Sequence, residues 1–321
     1  MRYIIYGAGA VGGVIGGRLA QYGHDVVLIA RGAHLEAIRA NGLVLESPLD
    51  TVTLPVPAAA NPAEVDFQPG DAVVLAMKTQ DTPAALQELA AAAGPGIPVI
   101  CAQNGVENER LALRCFERVY ATAVMLPATH LEPGVVQANS APTSGILDTG
   151  RYPSGSDSFI ERWTADLETA SFSATPEPRI MRRKYTKLLM NLGNALQAIC
   201  GAEADGRDIL RRARDEAITC YRAAGIDWAS DDEDRQRRAG MLKIAPIRGA
   251  TRGGGSSWQS LARGRTTIEA DYLNGEICYL GRLHGVPTPV NSLLQHEANR
   301  AAREGRQPGS TTVTELLAKL G

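Results

Sequence analysis

The stretch RYIIYGAGAVGGVIGGRLAQYGHDVVLIARGAH, residues 2–34, decides the fold. Arg2–Tyr6 is a short β-branched and aromatic run, the composition of a strand. Gly7, Gly9 and Gly12 follow in G-x-G-x-x-G spacing, with Ala8, Ala10 and Val11 between them. Gly7 permits a tight turn, Gly9 lets backbone approach a pyrophosphate, and Gly12 lets a helix pack close to the strand. The helix is predicted to run to about Tyr22, with Gly13, Gly16 and Gly17 inside it. Each interior glycine costs a helix roughly 1 kcal/mol relative to alanine, so this density needs a reason, and close packing on a sheet is the simplest. Gly23-His24 ends the helix and Asp25–Ala30 forms a second strand. Strand, glycine turn, helix and strand within about 30 residues predict a dinucleotide-binding α/β domain.

The second strand ends on Arg31. An acidic residue there would accept hydrogen bonds from the ribose hydroxyls and repel a 2′-phosphate. An arginine fork instead holds the phosphate through charge-assisted bonds. The expected cofactor is therefore NADPH. A surface arginine that only stacks on adenine is the plainer alternative.

Further along, GDAVVLAMK places Lys78 just past a strand, and PVICAQNG places Asn104 just past another. Ligands of open parallel sheets bind beyond the carboxyl ends of the strands, so both residues fall on the nicotinamide side. Asn-Gly is also an ordinary turn signal. RVYATAVML and SGILDTG complete the sheet by about Gly150, with His130 in a turn between them.

Of the 321 residues, 44% are hydrophobic and 21% charged, which suits a packed two-domain protein rather than a disordered one. The net charge of −2 gives no case for nucleic acid. Residues 1–177 carry 10 Lys and Arg against 19 Asp and Glu, and the remainder 23 against 16. That asymmetry fits an anionic ligand held between domains as well as ordinary surface composition. Five scattered cysteines with no C-x-x-C read as thiols of a reducing, cytoplasmic compartment. Five histidines without ligand spacing give no metal site. No apolar run reaches membrane-spanning length, and the apolar start reads as a strand rather than a secretory leader.

Pro176 and Pro178 mark a change to helical periodicity. The expected division is an α/β Rossmann-like dinucleotide-binding domain over residues 1–177 and an all-α substrate and dimerisation domain over 178–321. In RIMRRKYTKLLMNLGNALQAICG, Lys184, Lys187, Asn191 and Asn194 form one helical stripe among leucines. Asparagine is a poor helix-interior residue, so the stripe suggests a polar face lining a cleft rather than a merely solvated one. Later, Ser256 and Ser257 belong to a second polar cluster, with capping of the following helix as their plainer alternative, and Glu269, Asp271, Asn274 and Glu276 read as one helical stretch.

These residues together resemble the ketopantoate reductase (2-dehydropantoate 2-reductase) family over nearly the whole chain. The carriers are Gly7-x-Gly9-x-x-Gly12, Ala30-Arg31-Gly32, Lys78, Asn104-Gly105, KLLMN from Lys187 to Asn191, Ser256-Ser257 and EADYLNGE from Glu269. The resemblance implies reduction of the C2 carbonyl of ketopantoate by NADPH in pantothenate synthesis. It makes Lys187 the general acid, Asn191 a residue that positions Lys187 or the substrate, and Asn104, Ser257 and Glu269 substrate neighbours; Asn194 is added to the substrate side from its place in the polar stripe, one residue before the family's second asparagine position. The resemblance gives Arg31 and Lys78 to the cofactor. Lys184, one turn away, is placed to lower the Lys187 pKa. Two positions depart from the family pattern: Ala195 stands where many members have asparagine, and Trp258 where a methionine is frequent. A paralogous reductase or dehydrogenase for another 2-oxo or 2-hydroxy acid is the alternative, and a non-catalytic NADPH sensor a more distant one. The expected partners are a small 2-oxo acid and a second copy of the chain in a homodimer.

Overall fold

Alternation along Arg2–Tyr6 sorts its side chains onto two faces of a sheet. Tyr3 and Ile5 enter one apolar cluster with Val14, Ile15, Leu19 and Trp163, while Ile4 and Tyr6 enter a second with Leu86, Leu89 and Phe116. A strand covered on both faces reads as a continuous apolar run, as this one does. The computed structural model describes residues 1–249 and 253–320.

The main sheet has eight strands in the order Phe172–Ser173, Gly145–Arg151, Val119–Met125, Val99–Cys101, Asp71–Leu75, Arg2–Tyr6, Asp25–Ile29 and Ala58–Ala59. All neighbours are parallel except Gly145–Arg151 against Val119–Met125. Strand order reverses at Arg2–Tyr6, because the chain goes first to Asp25–Ile29 on one side and later to Asp71–Leu75 on the other. That reversal opens the ligand crevice of such sheets. A smaller sheet has the order Thr51–Leu54, Leu43–Glu46, Val135–Ala138 and Ala128–Thr129.

The glycine-rich helix, Ala10–Gln21, lies between the two sheets. A Cβ on Gly16 would sit 2.7 Å from Leu28 and 2.9 Å from Ile5 of the main sheet, and one on Gly12 2.9 Å from Ala76. A Cβ on Gly13 would sit 2.6 Å from Val136, and one on Gly17 3.2 Å from Leu43, of the small sheet. Residues four apart share a helix face. Gly12 and Gly16 thus clear one face and Gly13 and Gly17 the other, where the sequence suggested packing on a single sheet.

The chain forms two compact units that interleave, whereas the sequence suggested one cut at 177/178. The first is Met1–Lys184 with Ser230–Arg252, and the second is Tyr185–Ala229 with Gly253–Gly321. The returning segment begins with helix Asp231–Arg238, started by a Ser230–Glu233 capping box. Arg237 forks onto Asp148 at 2.6 and 2.8 Å, and Ala245 N–H donates to Asn139 O at 3.1 Å.

The second unit is helical and contains no strand among its described residues. Beyond the later turns of Ile180–Asn191 it holds Gly193–Cys200, Arg207–Ala223, Ser256–Ala262, Asn274–His284, Pro289–Arg303 and Val313–Ala318. Leu196, Ile199, Ile209, Leu261, Val290, Leu294 and Ala298 form its core. Glu216 accepts from the Val290 and Asn291 amides, closing the start of the helix that Pro289 opens. No helix among the described residues is long and apolar enough to cross a membrane.

Candidate active site

In the first unit, Ile29, Tyr6, Leu75 and Cys101 stand side by side at the carboxyl ends of neighbouring strands. The residues just beyond them are Arg31, the Gly7–Gly12 turn, Lys78 and Asn104, so register alone gathers the expected cofactor residues on one sheet edge. The Gly7 and Ala8 amides donate to Ile29 O at 3.1 and 3.0 Å, and Ala76 N–H to Tyr6 O at 2.8 Å. Gly7 has φ +99°, and a Cβ there would meet Met77 N at 2.5 Å, so glycine is required. No side chain caps the start of Ala10–Gln21. Its first amides therefore face outward with the positive end of the helix dipole, the arrangement that takes a diphosphate.

His34 props this turn from behind. A backbone N–H can only donate, so the Gly134 amide at 2.8 Å makes Nδ1 the bare nitrogen, and Nε2–H donates to Ala8 O at 2.7 Å. The His130 ring packs on His34 with centroids 4.1 Å apart. Sequence reasoning gave His34 no role, because its partners lie far away in the chain.

Arg31 precedes helix Gly32–Asn41 and is 62% exposed, with Glu88 3.7 Å from its guanidinium. The Tyr6 hydroxyl also donates to Glu88, at 2.5 Å, and burial together with that carboxylate pushes the phenol well above its ordinary range. The guanidinium stands exposed just beyond the end of the second strand.

A buried network ties the Lys78 and Asn104 loops together. The Gln103 side-chain amide donates to Met77 O at 3.0 Å and Thr82 Oγ1 at 2.8 Å, and Asn108 Nδ2 donates to Thr79 Oγ1 at 3.1 Å and Asn104 O at 3.2 Å. Lys184 donates to Gln103 O at 3.0 Å and pairs with Glu109. The pair is sealed, with side-chain exposures of 2% and 0%. Burial pushes the Glu109 carboxyl up, and the Lys184 charge opposes that shift. Lys184 is thus not part of an open polar stripe, and its charge is met by Glu109 rather than directed at Lys187. Sequence reasoning gave Asn108 and Glu109 no role, because their partners Thr79 and Lys184 lie far away in the chain.

In the second unit, Lys187 and Asn191 lie one turn apart and are half-buried and 4% exposed respectively, so this face is not a solvated one. The Asn191 amide nitrogen is buried with no hydrogen-bond partner among the described residues. The helix is nearly continuous into Gly193–Cys200, since Leu192 keeps helical dihedrals and bonds back to Leu188 O at 3.2 Å. Asn194 and Gln197 then reach Gly255: a Cβ on Gly255 would sit 3.3 Å from Asn194 Oδ1, and the Gly255 amide donates to Gln197 Oε1 at 3.3 Å.

Gly255, not serine, caps helix Ser256–Ala262. That frees the two serines from the capping role. Ser256 Oγ donates to Glu269 Oε2 at 3.3 Å, and Ser257 is buried in the first turn. Asn194, Ser256, Ser257 and Glu269 are thereby brought into one neighbourhood. Glu269–Tyr272 is a 3-10 turn, separated from helix Asn274–His284 by Leu273 at φ −112°, ψ −86°, so the expected single helical stretch is broken. Asn274 is taken up structurally, donating to Leu192 O at 3.2 Å and Asn291 Oδ1 at 3.0 Å. Asp271 accepts from Gln295 and Asn299.

The family described as "Ketopantoate reductase PanE/ApbA" matches residues 3–153, and its C-terminal counterpart matches residues 179–301. The chain is 31% identical to a 2-dehydropantoate 2-reductase of Mesorhizobium japonicum, over 95% of this chain and 98% of that one. It is 29% identical to one of Pyrococcus horikoshii, over 92% and 95%. Among solved structures, a PanE/ApbA family ketopantoate reductase from Ralstonia eutropha JMP134 aligns with a TM-score of 0.80 at 30% identity, covering 95% of this chain and 99% of that one. D-mandelate dehydrogenase with NADH and anilino(oxo)acetate shares the fold, with a TM-score of 0.82 at 22% identity, over 95% and 99%. The chain belongs to the ketopantoate reductase PanE/ApbA family and is a dinucleotide-dependent oxidoreductase.

Proposed function

We propose that this family member reduces 2-dehydropantoate (ketopantoate) to pantoate with NADPH, the reductive step of pantothenate biosynthesis, in the cytoplasm. The observation that carries the reading is the Lys187–Asn191 turn, where a half-buried ammonium stands beside a buried amide donor without a partner. The residues present fit the dinucleotide: an uncapped helix start, a glycine turn that tolerates no side chain, and a guanidinium at the end of the second strand. NADPH supplies the hydride for the C2 carbonyl.

Negative charge builds on the carbonyl oxygen as the hydride arrives, and Lys187 stabilises it and then donates the proton. Asn191 donates its amide hydrogen to the substrate. Asn104, Asn194, Ser257 and Glu269 orient the acid and its hydroxyl groups. Arg31 holds the 2′-phosphate and Lys78 the cofactor.

A second reading, another 2-oxo or 2-hydroxy acid, is favoured by Ala195, which is buried, and by Trp258. The Trp258 indole lies within 2.7 Å of where a Cβ on Gly253 would be, so it covers the loop leading to the serines. The test is the loss of NADPH absorbance on adding ketopantoate, with NADH alongside. Rapid NADPH-selective turnover supports the proposal, whereas tight NADPH binding without turnover moves it to the second reading.

A further inference from the structure

We infer that Lys184 and Glu109 are positioning residues for Asn104, holding the backbone of the substrate-side loop through the Gln103 carbonyl. That carbonyl belongs to the peptide plane whose nitrogen is that of Asn104, so a bond to it fixes the direction of the Asn104 amide. The same ammonium pairs with Glu109, on the helix that follows the loop, and Asn108 in the first turn of that helix binds Asn104 O at 3.2 Å. One buried charge therefore grips the loop at its entrance while the helix it anchors grips the exit.

A purely stabilising role explains these atoms poorly. Buried ion pairs are on average no better for stability than apolar residues of the same volume. A network kept for stability alone also satisfies its polar atoms. Here Glu109 Oε2 and Gln103 Oε1 are buried without hydrogen-bond partners. What the pair does deliver is a fixed backbone at a residue proposed to face nicotinamide and substrate.

The inference rests on the proposed reductase reaction for its kinetic readout and is independent of it for its structural one. The test compares the full-length chain with Lys184→Met/Glu109→Leu, which removes both charges and leaves no uncompensated one. Its melting temperature should change little, and hydrogen exchange over residues 103–108 should accelerate. NADPH affinity, read by nucleotide fluorescence, should stay within about threefold while kcat with ketopantoate falls on the order of 10- to 100-fold, the cost of a misplaced orienting group. The pH profile of kcat should keep its shape, because Lys187 is untouched. If the double variant does not fold, Lys184→Arg answers the question: it keeps the charge opposite Glu109 but alters the reach to Gln103 O, and should lower kcat several-fold with faster exchange at the same residues. Unchanged exchange with unchanged kcat in a folded variant overturns the inference. A wild-type chain that does not reduce ketopantoate overturns the proposed function instead, and exchange over residues 103–108 still decides this one.

Discussion

Two helices of this molecule answer to opposite demands. Along Ala10–Gln21 the sequence leaves atoms out: Gly12 and Gly16 admit the main sheet and Gly13 and Gly17 the small one. Along Ile180–Asn191 it puts atoms in that packing alone would refuse, namely a sealed Lys184, a half-buried Lys187 and an Asn191 amide with no partner. The first departs from helix propensity for the sake of a close approach, and the second departs from apolar burial at the residues to which the proposal gives the chemistry. Substitutions in the glycine helix should therefore be felt in stability and dinucleotide affinity together, and those in the lysine helix mainly in turnover.

The largest effect should come from Lys187→Ala. Loss of the proposed general acid should lower kcat by about 10²- to 10⁴-fold while NADPH affinity, measured by fluorescence titration, barely moves. An equal loss of affinity would erase the contrast between the helices.

Next is Gly16→Ala, which drives a methyl into Leu28 and Ile5. Overpacking of this kind costs about 1–3 kcal/mol, to be read from denaturant unfolding, and the tilted helix start should weaken both nucleotides alike. Retained stability would mean that the sheets yield more than the geometry allows.

Arg31→Ala should weaken NADPH by about tenfold or more and leave NADH within about twofold, since a charge-assisted bond is worth about 1.5–3 kcal/mol. Equal losses in parallel titrations would remove the 2′-phosphate role.

Asn191→Leu sharpens the comparison from the other side. Replacing a buried amide whose nitrogen has no partner with an apolar group of similar size should raise stability or leave it unchanged, while the substrate KM rises several-fold. A destabilised variant would show that the amide is bonded after all.

The smallest effect comes from a substitution outside both helices, at Glu233, whose partner Arg182 lies on the second. The Arg182 guanidinium and the Ser230 amide hold Glu233 down to about 2. A depressed folded-state pKa adds stability that is fully present above the unfolded value, near 4.3, and disappears as pH falls toward 2. Glu233→Gln should flatten that acid limb in melting curves taken across pH 2–5. The group is exposed, so solvent screening keeps the difference below about 1 kcal/mol.

Legibility followed the same contrast. The glycine spacing, the strand ends and Arg31 were readable because sheet register turns sequence position into place: the residues just after each parallel strand land on one edge. The Lys187–Asn191 turn was readable because helical spacing fixes a face. The Lys184–Glu109 pair and the His34 prop were not, because each joins residues far apart in sequence and each looks ordinary locally. The serines misled for a related reason. Ser256 and Ser257 carry the chemistry of caps, and only the extended backbone at Gly255, φ −71° and ψ −179°, shows the helix starting one residue earlier.

The interleaving of the two units bears on how the chain is made. Residues 230–249 belong with the sheet unit although Tyr185–Ala229, a large part of the helical unit, is synthesised before them. As the chain leaves the ribosome, Asp148 waits for Arg237 and Asn139 for Ala245 until that later segment emerges. Neither unit is a contiguous gene fragment, so cutting the coding sequence at any single codon yields at least one incomplete half.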